Sequence, residues 1–445
     1  MRSFFATSNL FRRSGGASLL GLILGLGTGC GAFELAGDKA ETANDRVNPE
    51  NPLWYERPAA VMGVSFHREL TIRGRTTGEE YEHGQAEIDP YQNRIFVGSS
   101  DFGLYALRST DGSSLWRYQT TGPVQSEPYY DRELDIVYFG SHDGALYAVR
   151  AYDGSLVYRF NTGAEVTRRP AHNGETLYVA NAADHLFAID RRTGKLRWQT
   201  HRPSALGKEV AGYAGASYDN GIVYMAYSDG HVAAYNAADG TERWAPVDLI
   251  ADVDDGADSV KYLDVDTTPI VDGPPNARVV YVASYAGGVY ALDAKTGSRV
   301  WWNERATGVT ELSLFQEPAH KAGDGTEIPA KTLILATSSS TGLWALDTAG
   351  KMVWRNKVPE GGITAPVPCA GALLVGTSRH GLFLISPRNG RTIDGLDPGT
   401  GFSQTPAAFG NKLFALSNGG VLLGAQVAVP KAERKPDDYA WFGRQ

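Results

Sequence analysis

Apolar and polar residues alternate along most of this chain, and the alternation comes in short packets. In "VQSEPYYDRELDIVYFGSHDGALYAVRAYDGSLVYRF" (124–160), four extended runs are separated by turn-forming residues. Period-two patterning rich in β-branched and aromatic residues reads as strand. The Asp-Gly pairs here, and Thr-Gly and Asn-Gly pairs elsewhere, supply the positive φ that tight hairpins demand. Long runs of helical period are missing. The pattern predicts an all-β protein.

The same unit recurs along the chain. "GLYALRSTDGSSLWRY" (103–118), "ALYAVRAYDGSLVYRF" (145–160), "HLFAIDRRTGKLRWQT" (185–200) and "HVAAYNAADGTERWAP" (231–246) come first. "GVYALDAKTGSRVWWN" (288–303), "GLWALDTAGKMVWRN" (342–356), "GLFLISPRNGRTIDGL" (381–396) and a truncated "GVLLGAQV" (420–427) follow. From Tyr105 through Tyr147, Phe187, Ala233, Tyr290, Trp344 and Phe383 to Leu422, the steps are 42, 40, 46, 57, 54, 39 and 39 residues. A period near 40 with four strands per copy is that of a propeller blade. The predicted fold is an eight-bladed β-propeller of four-stranded antiparallel blades.

Two features of the repeat carry structural expectations. Trp116, Trp198, Trp244, Trp301 or Trp302, and Trp354 recur at one blade position. There they should pack between neighbouring blades, because a thin sheet cannot bury its own faces. The eighth copy stops after three strands, while "NPLWYERPA" (51–59) carries the Leu-Trp of a fourth. Leu53 to Glu56 are therefore expected to close the ring and remove the open edges of a linear array.

The start of the chain has a different composition. Arg2, Arg12 and Arg13 precede an apolar run from Ala17 to Gly27, the order of a signal peptide and too short to span a bilayer comfortably. "LGTGC" (26–30) resembles the lipobox of bacterial lipoproteins, with Gly29 before Cys30, although Gly27 stands where that family usually has leucine. The resemblance implies lipid on Cys30, and Gly31 in place of aspartate implies sorting to the outer membrane. The expected organisation is a signal peptide at 1–29, a polar tether at 30–50, the propeller at 51–428 and a disordered tail at 429–445. Lys plus Arg total 42 against 50 Asp plus Glu, a net charge of −8, with no basic run; this argues against a nucleic-acid surface. Cys369, in "APVPCAGALLVG", reads as a buried small hydrophobe.

Motifs for chemistry are sparse. The nine histidines show no metal-ligand spacing, and no nucleophile elbow or phosphate-binding loop occurs. "DVDDGAD" (252–258) departs from a calcium loop, with Gly256 one place early and Leu263 at the twelfth position. One constellation remains, "YLDVDTTPIV" (262–271). In an extended chain Asp264 and Asp266 share a face. Such a pair could bind metal, move protons, cap local turns or accept hydrogen bonds from a partner's arginine at the ring's rim.

Two resemblances bear on that choice. Repeats such as "GGVYALDAKTGSRVW" resemble those of pyrroloquinoline-quinone alcohol dehydrogenases, which hold a quinone on the ring axis with calcium. Their adjacent-cysteine pair has no counterpart here. Residues 50–427 also resemble the BamB family of outer-membrane assembly lipoproteins, most tellingly in "DVDTTPIV" (264–271) and "GFSQTPAAFGNKLFALSNGGVL" (401–422). That likeness implies a non-catalytic scaffold without cofactor, a monomer within a complex, anchored by lipid at the periplasmic face of the outer membrane. It implies that Asp264 and Asp266 help bind the periplasmic domains of BamA, the barrel-inserting subunit. A second loop, matched by "PSALGKEVAGY" (203–213), would contribute Leu206 and Lys208, although the family's arginine is not plainly retained. A propeller lipoprotein with another periplasmic binding role is the third reading.

Overall fold

In the computed structural model, residues 61–71, 82–204, 213–251, 264–321, 327–357 and 362–428 are described. Each repeat forms one four-stranded antiparallel sheet. We label its strands A to D, from the ring axis outward. Blade 2 is typical, with A at Tyr129–Asp131, B at Ile136–Ser141, C at Ala145–Arg150 and D at Leu156–Asn161. Strand B is buried at every position and D is only partly buried. Strands B and C are covered on both faces by adjacent blades, so they read as continuous apolar runs.

Blades 1 to 7 occupy residues 86–119, 129–161, 171–201, 216–248, 270–303, 309–356 and 367–396. Blade 8 is composite: strands from 407–427 are completed by Met62–Glu69, which pairs antiparallel with Val421–Val427. An N-terminal strand thus closes the ring, as the repeat count demanded. The closing segment differs from the expected Leu53 to Glu56, which lie outside the described residues. The Leu-Trp cue was misleading because blade 8 fills the tryptophan position with Phe66, opposite Gly424. Among the described residues, eight apolar clusters form the core. Each joins two neighbouring blades, including one that sets Phe414, Leu416 and Leu422 of blade 8 against Ile95 and Val97 of blade 1.

The tryptophans do dock blade on blade. Trp116, Trp198, Trp244, Trp301 and Trp354 each lie against a glycine in the C–D turn of the next blade, at Gly154, Gly240, Gly297, Gly350 and Gly390. Their indole N–H groups donate to carbonyls in those turns, for example Trp198 Nε1 to Ala237 O at 3.0 Å and Trp354 Nε1 to Pro387 O at 2.9 Å. The glycines have positive φ, so any side chain there would both strain the turn and strike the ring. Trp301, not Trp302, takes the docking role; Trp302 stacks on Tyr290 at 5.5 Å. Tyr158 substitutes in blade 2, its hydroxyl donating to Arg191 O at 3.0 Å. In blade 7 the register position belongs to buried Asp394, whose Oδ2 accepts from Met62 N at 2.7 Å. The chain's closing strand is thereby tied to the preceding blade.

Candidate functional site on the ring axis

The innermost segment of most blades ends in a proline, at Pro128, Pro170, Pro269, Pro366 and Pro406. A residue before proline is held extended, so successive side chains alternate between the axis and the blade. Ser126, Thr267 and Thr364 take the blade side. Their hydroxyls accept from the main-chain N–H groups of Gly140, Ala283 and Gly376 in strand B at 3.1, 2.8 and 2.8 Å. The flanking positions face the axis and line two cavities of about 420 and 350 Å³.

Arg168 and Glu311 border both cavities. They come from blades 3 and 6 and meet in an ion pair at 2.5 Å. All three guanidinium nitrogens of Arg168 are engaged: Nη1 on Glu311, Nε on Tyr213 O at 2.6 Å and Nη2 on Asp266 O at 3.2 Å. One side chain therefore ties together blades 3, 4, 5 and 6. Arg169 grips Glu87 of blade 1 through two hydrogen bonds at 2.7 and 2.9 Å and also donates to Pro128 O. Neither arginine stood out in the sequence. The recurring position before proline, occupied by Glu127, Arg169, Thr268, Ala365 and Thr405, would have pointed to Arg169. Arg168 stands one place earlier, where Ser126, Thr267 and Thr364 bond to strand B, and carried no such signal.

Asp264 and Asp266 are brought together as their spacing implied, and the side chains hydrogen-bond to each other. Both are buried, with 0% and 6% of their surface exposed. They do not project from the rim as freestanding acceptors; Asp266 lines the smaller axial cavity. Burial, reinforced by the Asp264 carboxylate, pushes the Asp266 carboxyl up to about 8, against the opposing pull of Arg168. At neutral pH the Asp266 carboxyl therefore favours its protonated form.

The other expected site residues, Leu206, Lys208 and Cys30, lie outside the described residues, as do residues 252–263. Cys369 is buried, and burial pushes its thiol up to about 12. The histidines disperse. His185 and His231 open strand C of their blades, while His142 sits in a turn beside Glu165 at 3.3 Å. Among the described residues no group of three or more His, Cys, Asp or Glu side chains is arranged to hold a metal ion.

Comparisons with known proteins agree with this architecture. A family profile described as outer membrane protein assembly factor BamB matches residues 133–320. The outer membrane protein assembly factor BamB of Legionella pneumophila (strain Paris) is 25% identical over 203 residues, covering 45% of this chain and 47% of the relative. The tetrathionate hydrolase of Acidithiobacillus ferrooxidans is 25% identical over 301 residues, covering 65% of this chain and 48% of that one. The chain thus spans about half the length of these two relatives. Among solved structures, BamB from Moraxella catarrhalis superposes with a TM-score of 0.63 at 19% identity, covering 82% of this chain and 100% of that chain. A quinohemoprotein alcohol dehydrogenase from Pseudomonas putida shares the fold as well, at a TM-score of 0.60 and 14% identity over 90% of this chain and 83% of that one. The chain is a β-propeller of pyrroloquinoline-quinone-type repeats. Within that class it is BamB-like.

Proposed function

We propose that this protein is a non-catalytic scaffold lipoprotein of outer-membrane β-barrel assembly, anchored through Cys30 on the periplasmic side. Its partner in this reading is the set of periplasmic domains of a BamA-like barrel protein. The binding surface comprises residues 203–213, with Leu206 and Lys208, and the segment leading into Asp264 and Asp266. The observation that carries the reading is the Asp264–Asp266 pair itself. A buried pair whose Asp266 carbonyl also accepts from Arg168 anchors the inner edge of blade 5. Its role in this reading is to hold the inner edge of blade 5 in position.

The dehydrogenase reading is the alternative, and the axial residues do not suit its cofactor. Pyrroloquinoline quinone carries three carboxylates and needs unengaged cations. Here Arg168 and Arg169 are paired with Glu311 and Glu87, and Glu127 and Asp266 add acidic groups to the same walls.

The test is capture of the purified periplasmic domains of the barrel protein from the same cell. Leu206→Ala with Lys208→Glu should weaken capture tenfold or more, as expected when a desolvated contact is lost. Asp264→Asn with Asp266→Asn, which alters the buried anchor, should weaken it by a smaller factor. Melting temperatures should stay within a few degrees. Unchanged capture by both variants removes these residues from the interface.

A further inference from the structure

The larger axial cavity has an uneven supply of hydrogen-bonding groups. The η nitrogens of its two arginines already donate within the ring. Of its acids, Glu311 is held by Arg168. Glu127 of blade 2 lines the cavity near Arg168 and Arg169, yet among the described residues none donates a hydrogen bond to its carboxylate. Thr268 Oγ1 accepts from Gly215 N at 2.9 Å. The rest of the wall includes apolar groups, among them Ala171, Ile270, Leu312 and Ala365.

We propose that this cavity binds a small organic cation, a primary ammonium or guanidinium on an apolar body. Glu127 receives the charged head. The apolar body lies against Ala171, Ile270, Leu312 and Ala365. At about 420 Å³ the cavity falls in the range of small-molecule sites. An anion is disfavoured because the η nitrogens of Arg168 and Arg169 already donate to Glu311, the Asp266 carbonyl and Glu87. The site is independent of the assembly role, since it lies inside the ring and uses none of residues 203–213.

Burial raises the Glu127 carboxyl above its ordinary range, while the two arginines oppose that shift. A bound cation favours the ionised form, so affinity should fall as the pH is lowered.

Calorimetric titration of the full chain with benzylamine, with benzoate as the control, tests the proposal. Benzylamine should bind at one site and benzoate should not. Glu127→Gln, nearly isosteric, should weaken benzylamine at least about tenfold, the usual effect of losing a charged hydrogen-bond partner. Should that variant fold poorly, Ala365→Leu keeps every charge and fills the cavity, and it should abolish the binding. Equal binding of benzoate, or benzylamine affinity indifferent to both substitutions, overturns the proposal. So does an absence of saturable binding up to roughly 10 mM, an affinity too weak to be specific. A lysine-containing unstructured peptide forms the third arm. Its binding where benzylamine fails would assign the carboxylate to a polypeptide and overturn the small-molecule claim.

Discussion

A carboxyl group withdrawn from water beside another carboxylate keeps its proton to higher pH, and Asp266 is held this way by Asp264. The consequence for stability has a definite sign. In the unfolded chain the group releases its proton near its ordinary value of 3.8, but in the folded ring it does so only near 8. Between those values the folded state holds a proton that the unfolded state has lost, so stability declines as pH rises through the window and levels off above it. Asp266→Asn imitates the protonated form and should remove most of that decline, leaving the variant the more stable of the two at pH 8 to 9. Urea midpoints measured from pH 5 to 9 provide the check; parallel curves for wild type and variant would refute it. The pairing of the two aspartates could be read from their spacing, because alternate residues share a face. Their burial could not be read, because the same face in an innermost strand looks onto an axis formed by seven other blades. The Arg168–Glu311 pair was hidden for a related reason: 143 residues separate its members, and neither stands in a motif.

Between blades, the recurring device is an aromatic ring seated on a positive-φ glycine, with its N–H or O–H bonded into the same turn. This was the most legible part of the chain. The Trp spacing and the Gly-ending turns repeat together, so the sequence pattern specified both halves of the contact. The exceptions needed three dimensions, because Asp394 and Phe66 fill the tryptophan position without resembling it. Trp198 and Gly240 let the contact be dissected. Trp198→Ala should destabilise the ring by about 3–5 kcal/mol, the usual cost of deleting a buried large aromatic. Gly240→Ala should cost about 1–3 kcal/mol, since its Cβ would come within 2.6 Å of the Trp198 ring at φ +73°. Gly221→Ala is the control, with φ +82° and nothing within 4 Å of the added carbon. Denaturant unfolding of the three variants separates backbone strain from docking. If Gly240→Ala costs no more than Gly221→Ala, the aromatic contact contributes nothing at that turn.

A ring of eight blades holds its shape only if the last blade is bonded to the first. Here that bond is Met62–Glu69, whose pairing covers the edge of Val421–Val427. Phe66 reaches blade 1 by packing at Gly112, and Met62 N is bonded to Asp394 of blade 7. One eight-residue strand therefore touches three blades. The number of repeats made closure by an early strand legible, but the identity of the strand was not. "MGVSFHRE" lacks tryptophan, and its burial pattern is mostly exposed, so nothing local marks it as the partner of a strand some 350 residues later. Two truncations decide where closure lies. A chain beginning at residue 61 lacks Leu53 to Glu56 but keeps the closing strand, and it should melt with the full chain. A chain beginning at residue 71 leaves the outer edge of blade 8 unpaired, an invitation to intermolecular strand pairing. It should melt at least about 5 °C lower, the shift expected from losing a few kcal/mol in a domain of this size, and should aggregate on heating. Equal melting of the two would show that Met62–Glu69 is dispensable. Equal loss in both would return the closing role to residues before 61.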